Sequence, residues 1–67
     1  MIKLGIIATG DDILKGITLN TNFNYIAKRA IETGSKIIFE LTSPDDEEMI
    51  GEGLKFLSKN VDGIIII

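Results

Sequence analysis

A chain of 67 residues with a formal net charge of −3 is at most one small domain, and its 45% apolar and 25% charged content is that of a globular protein, not a disordered one. It has no Cys and no His, which excludes disulfide frameworks, Cys/His zinc sites, cysteine nucleophiles and histidine general bases. Its seven basic residues are dispersed apart from Lys28-Arg29, which argues against nucleic acid as a partner, and no apolar run approaches the ~20 residues of a membrane span.

Residues 3–9 (KLGIIAT) form a short apolar run ending at Gly10 and predict a buried strand followed by a turn. Residues 11–16 read as a polar-flanked loop carrying the apolar pair Ile13-Leu14. From about Asn20 a helical period takes over, with Phe23, Ile26, Ala27, Ala30 and Ile31 on one apolar face. Asn20 or Thr21 is suited to cap its start, and Gly34 stands where a helix ends in left-handed geometry. Residues 36–42 (KIIFELT) predict a second strand from their β-branched and aromatic content.

Ser43-Pro44-Asp45-Asp46-Glu47-Glu48 then predicts a helix start, with a capping hydroxyl or carboxylate, Pro44 in the first turn and acids at the positive end of the dipole. Ile50, Gly53, Leu54 and Leu57 make its buried stripe. Gly53 suggests close approach of helix to sheet, whereas nothing in the sequence explains Gly51. Residues 61–67 (VDGIIII) predict a third strand.

The pattern is β-α-β-α-β. Strands alternating with helical segments imply right-handed crossovers and a parallel sheet covered on both faces, so the expected fold is α/β: a three-layer, Rossmann-like fragment with strand order 2-1-3. The third strand is the most hydrophobic, and the chain stops at its end, Ile67. Ligands of open α/β sheets bind beyond the carboxyl ends of the strands. The expectation is therefore an incomplete domain whose last strand leaves a sticky edge prone to self-association. The opening Met1-Ile2-Lys3-Leu4-Gly5 has no signal-peptide character, and a cytoplasmic location is expected.

Three features gather at the carboxyl end of the first strand. Gly10 allows a tight turn or close approach of a ligand. Asp11 and Asp12 follow it; one of them is suited to cap the turn, and a lone carboxylate there can instead hold a divalent cation, a ribose hydroxyl or a heterocycle's amino group. Asn20, Thr21 and Asn22 open the first helix, where they serve either as caps or as phosphate ligands. The glycine spacing matches neither G-x-G-x-x-G nor the P-loop. The acidic run from Asp45 to Glu48 is read as helix-dipole complementation in preference to a metal site, and Phe23, Tyr25, Phe39 and Phe56 as core or helix-surface aromatics.

Residues 8–27, ATGDDILKGITLNTNFNYIA, resemble the opening of the molybdenum-cofactor biosynthesis (MoaB/Mog-type) domain, above all as it occurs at the N-terminus of the competence/damage-inducible protein A (CinA) family. That family reads roughly G-[TD]-E-[LI]-L-x-G-x-x-x-[ND]-T-N-x-x-[YW]-[LI]-A. Gly10, Asp11, Ile13, Leu14, Gly16, Asn20, Thr21, Asn22, Tyr25, Ile26 and Ala27 match it. Gly34, Pro44-Asp45-Asp46 and Val61-Asp62-Gly63 fall where the family ends its helix, starts the next and enters strand three. The family has Glu where this chain has Asp12, one methylene shorter. Its glycine-rich T-G-G-x-G-P-[TS] signature follows strand three, where this chain ends.

The resemblance implies residues 1–67 as part of a molybdopterin- or nucleotide-phosphate-binding domain, inactive alone. The implied cofactors are molybdopterin, or a nucleotide with Mg²⁺, and the implied partners are a small phosphate-bearing ligand or the remainder of the domain. Ligand contacts are expected at Gly10, Asp11, Asp12, Asn20, Thr21 and Asn22, with Asp12 the metal or polar contact because it occupies the family's acidic position. The alternatives are half of a metal-dependent, ADP-ribose-type nucleotide pyrophosphatase completed by another chain, or a gene fragment without function.

Overall fold

The run of branched and small apolar residues after Met1 forms β1 (Ile2–Thr9), followed in chain order by α1 (Asp11–Leu14), α2 (Asn22–Glu32), β2 (Ser35–Ser43), α3 (Glu47–Asn60) and β3 (Gly63–Ile66). The computed structural model describes residues 1–16 and 22–67. The strands make one parallel sheet in the order β2-β1-β3, as the alternation of strand and helix predicts.

The central strand carries the core: Ile6 and Ile7 are 0% exposed and Ala8 1%. Successive strand residues point to opposite faces. Leu4 and Ile65 lie beside Ile26 and Ala30 of α2 around a shallow groove. Gly5 and Ile7, on the other face, meet Leu57 and Gly53 of α3. The two long helices therefore cover opposite faces, which gives the three layers.

The close approach inferred from Gly53 is real: a Cβ there would stand 2.7 Å from the Ile7 Cδ1. A Cβ on Gly5 would stand 2.6 Å from the Leu57 Cδ2, and Leu57 is fully buried. Gly51, by contrast, has nothing within 4 Å of an added Cβ among the described residues. The second strand hides an irregularity. Leu4 pairs with Ile37 but Gly5 pairs with Phe39, so Ile38 is an extra residue and β2 bulges.

Several boundaries differ from the sequence-based expectation. Residues 11–14 are not loop but one helical turn, closed by the Lys15 N–H donating to the Asp11 carbonyl at 3.0 Å. Pro44 is not in the first turn of α3, which begins at Glu47; Asp46 caps it, its Oδ1 accepting from the Glu48 N–H at 2.8 Å and the Met49 N–H at 3.3 Å. Ile31 is 54% exposed, because it lies about 100° around α2 from the buried Ala30 and off the sheet-facing stripe. Gly34 has φ 82, the left-handed geometry expected after α2.

β3 starts at Gly63, later than residue 61, because Val61 terminates α3 and Asp62 clamps the strand entry. The Asp62 N–H donates to the Lys3 carbonyl at 2.7 Å, and the Lys3 N–H donates to the Asp62 Oδ2 at 2.9 Å.

The glycines of α3 and β1 should respond oppositely to one methyl group. Gly51→Ala should stabilise the chain by up to ~1 kcal/mol, since it gains helix propensity and meets nothing. Gly5→Ala should destabilise it by about 1–3 kcal/mol by overpacking against Leu57. Urea denaturation midpoints check both, and a stabilising Gly5→Ala would show that the Leu57 side chain moves aside freely.

Candidate functional site

In the order β2-β1-β3 the connection from β1 to β2 runs one way along the sheet and the connection from β2 to β3 returns the other way past β1, one helix to each face. The carboxyl ends of β1 and β3 therefore flank the point at which the topology switches, the place where open α/β sheets build their ligand sites. Sheet pairing runs up to this edge. The Thr9 N–H donates to the Ile67 carbonyl at 3.1 Å, and the Gly10 N–H donates to the Ser43 carbonyl at 3.0 Å.

Gly10 turns the chain from β1 into α1 at φ 149, ψ 126, a conformation that L side chains rarely adopt. Among the described residues, a Cβ placed there would meet only the Ile13 Cδ1, at 3.9 Å. Asp11 and Asp12 occupy the first turn of α1, and both are exposed. They are not equivalent. The Asp11 Oδ1 accepts a hydrogen bond from the Asp45 N–H at 3.3 Å, across to the turn that follows β2. The Asp12 side chain has no hydrogen bond among the described residues.

Of the other predicted contacts, Asn20, Thr21 and the side chain of Asn22 lie outside the described residues, as does the choice of cap for α2. The acidic run 45–48 divides by position: Asp46 caps α3, and Glu47 and Glu48 sit in its first turn, where the helix dipole favours carboxylates. Among the described residues, no three His, Cys, Asp or Glu side chains come together as a metal-holding group. No described helix is long and apolar enough to cross a membrane. Sequence reasoning missed the bond from Asp45 to Asp11. A family motif flags each of these acids, but no local pattern links residues 34 positions apart.

Comparison with known proteins agrees with the geometry. A family model described as a probable molybdopterin binding domain matches residues 5–67. A CinA-like protein of Citrifermentans bemidjiense is 32% identical over 65 residues, which cover 97% of this chain and 16% of that protein. A CinA-like protein of Desulfotalea psychrophila is 39% identical over the same length and the same shares. The crystal structure of the protein CinA, of unknown function, from Thermoplasma acidophilum superposes with a TM-score of 0.90 at 26% identity, covering 96% of this chain and 38% of that one. The chain thus spans about one sixth of the length of these CinA-like relatives.

The turn at Gly10 should be sensitive to backbone conformation, not to volume. Gly10→Ala should cost about 1–3 kcal/mol although its Cβ has room, because alanine is strained at φ 149. Equilibrium denaturation measures the loss, and an unchanged midpoint would mean that the turn relaxes to another conformation at no cost.

Proposed function

Because the chain belongs to the family of probable molybdopterin binding domains, we propose that its carboxyl-edge turn contributes to binding molybdopterin, a pterin that carries a phosphate. The observation that carries this reading is the pairing of a glycine turn with an exposed carboxylate that has no hydrogen bond among the described residues, at the topological switch point: Gly10 and, two residues on, Asp12.

The chemistry of these donors and acceptors fits one end of such a ligand. A carboxylate accepts two N–H bonds side by side, and the amino-pyrimidinone edge of a pterin offers two N–H donors in that arrangement. Asp12 is the residue proposed to receive them, with Gly10 letting the ring approach the backbone. Asp11 and Asp12 are both anionic and unsuited to the phosphate. That end of the ligand is assigned to Asn20, Thr21 and Asn22, whose amide and hydroxyl groups are donors beside a helix start. A nucleotide offers the same phosphate chemistry, and if Mg²⁺ accompanied it, Asp12 would be the carboxylate to hold the ion in place of a ring edge. A cytoplasmic setting is proposed with it, in line with a chain that contains no cysteine.

Fluorescence titration of the chain with molybdopterin tests the reading. Asp12→Ala should weaken binding at least about tenfold while leaving the melting temperature nearly unchanged, since an exposed side chain with no partner among the described residues contributes within about 0.5 kcal/mol to stability. Binding that is as tight in Asp12→Ala as in the parent chain would remove Asp12 from the site. Loss of the fold would make it a structural residue.

A further inference from the structure

We infer that Asp11 is a positioning residue: its carboxylate holds the turn after β1 against the turn after β2 and so fixes where Asp12 stands. The inference rests on the proposed molybdopterin reading for its functional half only; the clasp itself is a structural statement. Among the described residues, α1 has little else to hold it. It is four residues long, none of them is buried, and no side chain caps its start. A single helical turn of this length is not stable on its own, because fixing its backbone costs more than its one or two hydrogen bonds return.

What seats it is a pair of hydrogen bonds of opposite direction across the sheet's carboxyl edge. The Gly10 N–H donates to the Ser43 carbonyl at 3.0 Å, and the Asp45 N–H donates to the Asp11 Oδ1 at 3.3 Å. The first bond extends the ladder between β1 and β2 by one residue. The second reaches past the strands and joins the two loops themselves. Asp45 is a good anchor, because its own turn is tied on both sides. The Asp46 N–H donates to the Pro44 carbonyl at 2.8 Å, the Ser43 hydroxyl donates to the same carbonyl at 2.9 Å, and Asp46 caps α3. Asp12, adjacent to Asp11 in the same turn, inherits this placement.

The division of labour between neighbouring carboxylates is testable by amide hydrogen exchange on the whole 67-residue chain, combined with molybdopterin titration. Asp11→Ala should speed exchange at the Asp45 amide about fivefold and at the Lys15 amide, which closes α1, by a similar factor, with the β1 and β3 amides unchanged. Asp11→Asn keeps an acceptor oxygen and should restore slow exchange at both. Unchanged exchange at Asp45 in Asp11→Ala overturns the clasp. If Asp11→Ala melts the chain, Asp11→Asn carries the test: protection at Asp45 supports the clasp, and its loss overturns it.

In the titration, Asp11→Ala should weaken molybdopterin binding and Asp11→Asn should rescue it, whereas Asp12→Ala should weaken binding with Asp45 still protected. Weak binding by Asp11→Asn with Asp45 protected would make Asp11 a direct ligand and overturn the positioning role. Full binding by Asp12→Ala, with the exchange results as expected, would sink the ligand reading and leave the clasp standing.

Discussion

Everything in this fold hangs on how α3 is let down onto β1. The strand offers a notch at Gly5 and a ridge at Ile7; the helix offers a ridge at Leu57 and a notch at Gly53. Two residues of strand advance about 6.6 Å and four residues of helix about 6 Å, so notch meets ridge twice in succession with the helix running against the strand. Neither glycine can acquire a side chain without pushing on the other element. The interlock fixes both the separation and the lengthwise position of α3, and through it the place at which the chain re-enters the sheet as β3.

That placement decides where chemistry can occur. With β1 buried on both faces along residues 5–8, no side chain of that stretch can reach a solute. The first exposed side chains after it are those of Asp11 and Asp12, just beyond the sheet's carboxyl edge. At the amino-terminal edge, by contrast, Asp62 and Lys3 exchange hydrogen bonds, so this carboxylate is engaged. Two ends of one small sheet thus use aspartate in opposite ways: at one end to finish the ladder, at the other to face outward.

The layers and the strand order were legible because they rest on periodicity over eight or more residues, as in the apolar stripes of α2 and α3, and on continuous apolar runs such as 64–67. Gly53 was legible for the same reason, being a small residue inside a large-residue stripe. What sequence reasoning missed is short or distant. α1 is too brief to show a helical period. Ser43, Asp45 and Asp46 are all competent helix caps, and only the backbone conformation at Asp46 selects among them. The turn at Gly10 and the acid at position 12 could be located from composition and motif. The partner that distinguishes Asp11 from Asp12 lies across a strand and cannot be read locally.

The extra residue in β2 bears on how this chain tolerates changes of length. Ile37 lies beside Leu4 and Phe39 beside Gly5, on opposite faces of the sheet, with Ile38 out of step between them. Removing Ile38 would leave its two neighbours alternating as a regular ladder requires, and every other side chain of β2 would keep its face. Deleting Ile37 gives the same sequence, whereas deleting a residue outside this pair would move the side chains of one part of the strand to the opposite face of the sheet. The bulge is thus the place in β2 where the chain can shorten by a residue and still close the same sheet.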